Sequence, residues 1–376
     1  MSSPAAAPDV IVVGAGIIGL ACARALAGRG LAVEVLERGT GCGEASTAAA
    51  GMLAPLAEVP EPGPMLEACR ASRDLWRTWA AELEAESGEN VDHDTSGTLS
   101  VARTDDESAW LDRLLAAARR LGEPAEEMPL EEARRRVPDL SADVRRVLHL
   151  PGEHRVDNER ACAALLASVE GRGVAVRRET HVEEIAAGRD GVTVTGTTGG
   201  PTAAPWRRRA PAVLVAAGAW SGRIRGLQPL PVGPVRGQML RLAEVDWPWR
   251  GVVRAGHHYA VRRAGGRLLV GATVERSAFH DHPTPAGLAE LLEFLRCFLP
   301  GLGQHPLDSV WAGLRPGTPD GLPLVGPLPH APGVWIATGH FRNGILLAPW
   351  TAERLAAALD AQAVPELASF SPGRFR

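Results

Sequence analysis

Two groups of residues have the types and spacings that chemistry needs. Gly14-Ala-Gly16-Ile-Ile-Gly19 follows the apolar run Asp9-Val-Ile-Val-Val13. Glycines so spaced allow a tight turn, a close backbone approach to a pyrophosphate and close packing of the next helix on the strand. Glu37 ends the following apolar stretch, about twenty residues on, where a carboxylate can hold a ribose hydroxyl. The second group centres on Arg315, which directly follows the largely apolar stretch 308–314 and is flanked by Trp311, Gly313 and Pro316. A guanidinium there can take a carboxylate through two parallel hydrogen bonds, or it can sit in a buried ion pair with an Asp or Glu of the chain. Tyr259 is the single tyrosine in the chain, so no second phenol can substitute for it.

Composition removes other chemistries. All 40 basic residues are arginine. Without lysine there is no Schiff base, no pyridoxal-phosphate anchor and no Walker-type phosphate loop. Cys22, Cys42, Cys69, Cys162 and Cys297 are scattered, with no C-x-x-C pair and no zinc spacing. No structural metal or disulfide framework is therefore expected, and free thiols suit a reducing cytoplasm. A net charge of -4 calls for neither nucleic acid nor an anionic membrane. The arginine runs 134–136 and 207–209 are expected on solvated loop or helix faces. The apolar segment 10–27 carries three glycines and Arg24 and reads as a buried strand and helix, not a membrane span.

The elements that must position these residues follow from periodicity and breakers. Strands are expected at 9–13 and 32–37 around a helix at 17–28, forming a βαβ unit. Helices are expected over 62–88, 106–121, 130–136, 158–171, 284–298 and 343–359. Further strands are expected at 97–103, 173–178, 182–185, 192–195, 212–217, 235–242, 258–263, 267–272, 308–314 and 333–337, with a turn-rich connection at 199–205. The α/β stretches lie at both ends and in the middle, and strand-rich stretches lie between them. Two domains built from non-contiguous pieces result.

The glycine motif alone does not separate FAD from NAD. Three features favour FAD. Gly43 to Gly51 is a long loop of small residues suited to a bulky isoalloxazine, and Val213-Leu-Val-Ala-Ala-Gly218 is a second strand-to-glycine segment. Gly339-His-Phe-Arg-Asn-Gly344 opens the last helix, whose positive end could face a flavin.

On the motifs at 9–19, 46–53, 235–238, 259–263, 269–273, 311–316 and 339–349, the chain resembles the glycine oxidase branch of the D-amino-acid oxidase superfamily. The last two segments are the most specific. The resemblance implies an α/β fold: a Rossmann-like FAD-binding domain plus a substrate domain with a mixed, largely antiparallel sheet. The expected division is 1–58, 145–222 and 308–376 for FAD, and 59–144 and 223–307 for substrate. It implies non-covalent FAD and oxidation of glycine or a similar small amine to an imine. Hydrolysis to an oxo acid and ammonia follows, with hydrogen peroxide formed from oxygen and a possible link to the thiazole of thiamine. Arg315 matches the family's carboxylate-binding arginine and Tyr259 its partner phenol. Arg342, His257 and Met52 match pocket positions, whereas Val274 stands where a glycine oxidase has methionine. The cofactor set expected is Gly14, Gly16, Ile17, Ile18, Gly19, Glu37, Arg38, Ser46, Thr47, Ala49, Ala50, Gly51, Met52, Val182, Ala217, Gly218, Trp220, Arg315, His340, Arg342, Asn343, Gly344, Ile345 and Leu346. No side-chain base is assigned, because a neutral amine held in a dry site can release hydride directly.

Other readings stay open on residues alone. A sarcosine-type enzyme would carry a cysteine near the C-terminal flavin segment, and none follows Cys297. A D-amino-acid oxidase pocket rich in tyrosine cannot be built from one. A proline oxidase or dehydrogenase, a flavin-binding subunit of a larger dehydrogenase and a nicotinamide enzyme complete the alternatives. Expected partners are a small amino acid or amine, molecular oxygen and further copies of the chain.

Overall fold

A computed structural model describes residues 7–199, 204–227, 229–276 and 278–375. Strand Val10–Val13 is buried along its whole length and lies inside a six-stranded sheet. It pairs in parallel with Val33–Leu36 on one side and Ala212–Val215 on the other. Ala175–Arg177 and Val334–Thr338 extend the parallel ladder, and Leu324–Pro327 closes one edge antiparallel. Side chains of a strand alternate between faces. Val10 and Val12 accordingly pack into a core with helices Ile17–Gly28, Pro64–Ser87, Asn158–Gly171 and Gly344–Leu359. Ile11 and Val13 pack into a second core under a three-stranded antiparallel sheet.

That smaller sheet corrects one expectation. Ala204–Ala210 is a strand pairing with Gly191–Thr198, so Arg207, Arg208 and Arg209 lie on a strand, not on a loop or helix. Arg208 approaches Glu34 at 3.7 Å and Arg209 pairs with Asp190 at 3.2 Å. Part of the expected turn at 199–205 lies outside the described residues. Arg135 and Arg136 do sit on a helix, Leu130–Arg136, paired one turn back with Glu131 and Glu132.

The larger sheet has nine strands, centred on Gly233–Leu242, Arg267–Gly271, His258–Arg263 and Val252–Ala255. Only the contact of Val252–Ala255 with Thr98–Ala102 is parallel. One face packs on helix Pro285–Phe298, and the other turns Met239, Tyr259, Val261 and Leu269 towards Ala50.

Sheet membership departs from the expected division in three places. Strand Leu307–Gly317 pairs along its length with Gly233–Leu242, so it belongs to the larger sheet. Arg146–Leu150 also belongs there, beside Thr98–Ala102. Helix Pro64–Ser87 instead packs on the last helix: Trp76 Nε1 donates to Ile345 O and Leu346 O at 3.1 and 3.0 Å. Chain order could not show these switches, because each is decided by a partner more than forty residues away.

Candidate active site

A cavity of about 650 Å³ lies where the parallel sheet meets the larger sheet. That is within the range of a site enclosing a sizeable organic ligand. At one end is the glycine turn. Gly14 has φ 103°, and a Cβ there would come 2.6 Å from Ala216 O. A Cβ on Gly19 would come 1.9 Å from Gly14 O, so this glycine lets the helix close on the strand. Helix Ile17–Gly28 has Gly16 at its N-cap and no acid in its first turn, and Ser46 Oγ takes only the first of its N–H donors, that of Ile17, at 3.0 Å. Its positive end therefore remains available to an anion. Glu37 lines the same end, held by backbone N–H donors of Ala15 and Gly39, both at 2.7 Å. Helix Gly344–Leu359 likewise has no acid in its first turn, and its first residues line the cavity.

The small-residue loop between these helices is anchored from outside. Asn158 Nδ2 donates to Ser46 O at 2.9 Å and Thr47 O at 3.1 Å. Arg263 Nη2 donates to Ala50 O at 2.8 Å and to Asn158 Oδ1 at 2.9 Å. Burial lowers the Arg263 pKa to about 10 despite nearby Asp157. Gly51 has φ 63°, and a Cβ there would meet Val156 O at 2.0 Å. A pyrophosphate-sized anion at the glycine turn, a ribose at Glu37 and a broad ring against residues 48–52 all suit this donor set, and FAD fits it.

At the other end the walls become charged. Arg315 lies within its strand, opposite Val235, and not at the strand end that its sequence suggested. Its guanidinium crosses over Gly237, where a Cβ would sit 2.2 Å from the Arg315 nitrogens. Nη1 donates to Thr273 O at 3.0 Å and to Arg236 O at 3.4 Å. Among the described residues, no carboxylate pairs with Arg315. Burial draws its pKa below the usual range, and neighbouring Tyr259 works the other way. Tyr259 is buried, its hydroxyl 3.5 Å from Met239 Sδ, and burial raises its pKa against the pull of Arg315.

Glu58 faces both Arg254, at 2.5 Å, and Arg342, at 2.8 Å. Burial alone would raise the Glu58 pKa; the two guanidiniums outweigh it and hold the carboxyl below its usual range. Sequence reading placed Arg342 in the pocket but missed Glu58 and Arg254, and with them the triad. Each member is an ordinary charged residue in the sequence, and nothing local marks the meeting of positions 58, 254 and 342. Arg263 and Asn158 were missed for the same reason.

Most of the expected set lines the cavity: Gly14, Gly16, Ile17, Ile18, Glu37, Arg38, Ser46, Ala49, Ala50, Gly51, Met52, Val182, Ala217, Gly218, Trp220, Tyr259, Arg315, His340, Arg342, Gly344 and Ile345. Arg38 stacks over Trp220 at 3.8 Å. His340 is buried, bonded through Nε2 to Thr351 Oγ1 at 3.0 Å, and burial lowers its pKa to about 3, which leaves it neutral. Six expected residues do not line the cavity. Gly19 and Leu346 act behind the wall, the latter through its carbonyl to Ser72 Oγ at 2.6 Å. The Thr47 hydroxyl turns back to Glu44 O. Asn343 and His257 line a neighbouring cavity of about 540 Å³, which shares Glu58, Phe341 and Arg342 with the first. The His257 side chain is 49% exposed and reaches Glu290, and Val274 is 45% exposed. Neither His257 nor Val274 is brought to the pocket.

A parallel sheet with a glycine-turn cradle, joined to a largely antiparallel sheet that carries an arginine in the cavity wall, defines a flavin-dependent oxidoreductase. The chain belongs to the FAD dependent oxidoreductase family, whose sequence pattern matches residues 9–358, and its cofactor is FAD. It is 36% identical to a glycine oxidase of Pseudomonas aeruginosa over 92% of this chain and 93% of that one. It is also 36% identical to a bifunctional ThiO/ThiG protein of Synechocystis, over 98% of this chain but 54% of that one. The chain thus spans about half the length of that relative. A crystal structure of glycine oxidase from Geobacillus kaustophilus superposes with a TM-score of 0.90 at 32% identity, covering 97% of this chain and 98% of that one. Iminodiacetate oxidase from Chelativorans superposes at 0.86 with 26% identity, covering 96% and 98%.

Proposed function

We propose that the protein oxidises a small amino acid, glycine foremost, to its imine, which water converts to an oxo acid and ammonia. The observation that carries this reading is Arg315: a half-buried guanidinium in the cavity wall that donates to backbone carbonyls and has no carboxylate partner among the described residues. Leaving such a charge unpaired is costly, and a substrate carboxylate would relieve that cost. The names of the relatives support glycine as that substrate.

FAD, when bound, supplies the two-electron acceptance and the return of those electrons to oxygen as hydrogen peroxide. Arg315 binds the substrate carboxylate through paired N–H donors, and Tyr259 shares it from a strand of the same sheet, two strands intervening. Both lie on the larger sheet, so one rigid surface fixes the substrate's orientation. Glu58 bridges Arg254 and Arg342 at the far wall, and the three together keep one net positive charge. The apolar lining by Met52 and Ala50 keeps water from the amine, which loses two electrons and two protons as the Cα–N bond becomes an imine. His340, buried, neutral and bonded through Nε2 to Thr351, is assigned no role as a base. We also propose a supply role for thiazole synthesis, which similarity to ThiO/ThiG proteins supports, and a homo-oligomer in the cytoplasm, where five free thiols suit a reducing medium. No helix among the described residues is long and apolar enough to cross a membrane.

The test is the visible spectrum of the purified protein mixed with glycine, first without air and then with it. Bleaching of the flavin bands followed by peroxide formation is the expected result. Bands that stay oxidised with glycine, sarcosine and small D-amino acids would overturn the substrate class while leaving the family intact.

A further inference from the structure

Strand His258–Arg263 presents Tyr259 to the cavity and turns His258 to the opposite face of the sheet. There His257 and His258 meet Glu290 of helix Pro285–Phe298. His257 Nε2 lies 3.3 Å, and His258 Nε2 2.9 Å, from the same Glu290 oxygen. The two rings are 4.0 Å apart, and His258 also stacks on Phe294. All three ligand atoms fall within 4.8 Å of one another.

We propose that His257, His258 and Glu290 form a binding site for a divalent transition-metal ion of the zinc class. Two imidazole nitrogens and one carboxylate oxygen are the donors such ions prefer, and three protein ligands leave a fourth position for water. In a tetrahedral site with bonds of about 2.0–2.1 Å, neighbouring donors stand about 3.4 Å apart. Both histidine–carboxylate separations already lie near that value. The remaining spread closes by rotation of His257, whose side chain is half exposed. A metal ligand must be an unprotonated imidazole. The nearest opposing charge is Arg342, whose Nη2 is 3.4 Å from His257 O, and it is already engaged by Glu58. Sequence spacing gave no sign of the cluster, since the carboxylate comes from a helix more than thirty residues on.

Equilibrium dialysis of the FAD-loaded protein against Zn²⁺, with metal analysis, tests the assignment. One equivalent is expected on the wild type. His258→Ala and Glu290→Gln should each raise the dissociation constant at least tenfold, with the flavin spectrum and Tm unchanged. His282→Ala, in a separate exposed pair with Asp281, should leave binding as it was. Absence of binding to the wild type, equal binding to all variants, or loss only in His282→Ala would each overturn the proposal.

Discussion

The two ends of the cavity are built on different principles. The cofactor end is mostly backbone: glycines that let chains approach, helix ends without an acidic residue in the first turn, and one carboxylate held by two amides. The substrate end is mostly charge: Arg315 without a carboxylate beside the closed triad of Glu58, Arg254 and Arg342. The backbone cradle tolerates almost no added volume but asks little of side-chain chemistry. The charged wall depends on keeping its charge partners, and on volume only where Gly237 makes room for Arg315.

The largest effect is expected where volume matters most. Gly19→Ala places a methyl 1.9 Å from the Gly14 carbonyl, and the helix must then leave the strand. The protein should purify with little or no flavin, read as the ratio of visible to ultraviolet absorbance. A fully loaded variant would show that the cradle is not volume-limited. Next is Arg315→Lys, which keeps one positive charge and loses the planar fork. Truncating a buried, hydrogen-bonded charge contact costs about 2–5 kcal/mol, or roughly 30-fold to several thousand-fold in kcat/KM. Flavin content should stay normal, and a variant with wild-type kcat/KM would remove Arg315 from the substrate site.

Glu58→Gln sharpens the contrast within the charged wall. It leaves Arg254 and Arg342 buried without their counter-charge, a loss of about 3–5 kcal/mol in stability. Urea unfolding followed by fluorescence measures it. A change under about 1 kcal/mol would mean that the triad is solvated like a surface pair.

The smallest effect concerns Glu153, behind this wall. Its Oε1 accepts from Ala57 N at 2.7 Å, and burial raises its pKa from 4.5 to about 7. The folded chain therefore keeps a proton that the unfolded chain releases, and this group's stabilising contribution declines as pH rises from about 4.5 to 7. His154 and His340, lowered by burial to about 4 and about 3, act oppositely: their contribution grows as pH rises to about 6.5. Comparing Tm of the wild type with Glu153→Gln across that window isolates the carboxyl. The wild-type advantage should shrink by at most about 3 kcal/mol towards pH 7. An advantage that grows with pH would place an ionised carboxylate there.

The cofactor end was legible in the sequence because its signals are local. The strand, the Gly14–Gly19 turn, the helix and Glu37 succeed one another within one βαβ unit. Each glycine's purpose follows from the turn that it makes. Helices Leu130–Arg136 and Asn158–Gly171 were read to the residue for the same reason: their bounding signals, Pro129 before the first and the Asp157 cap before the second, adjoin each segment. Arg315 and Tyr259 were found as types in odd company, but not by their geometry.

The amino-acid sequence by itself determined the parallel sheet, the glycine cradle and the absence of lysine chemistry, because each depends on residues near in the chain or on composition alone. Tertiary structure decided which sheet received Leu307–Gly317, that Gly237 opens the path for Arg315, and that Glu58 closes on Arg254 and Arg342. It also turned His257 and Val274 away from the pocket. These outcomes depend on strand register and on charge pairing across nearly two hundred residues or more. A one-residue change of register would have sent each side chain to the other face.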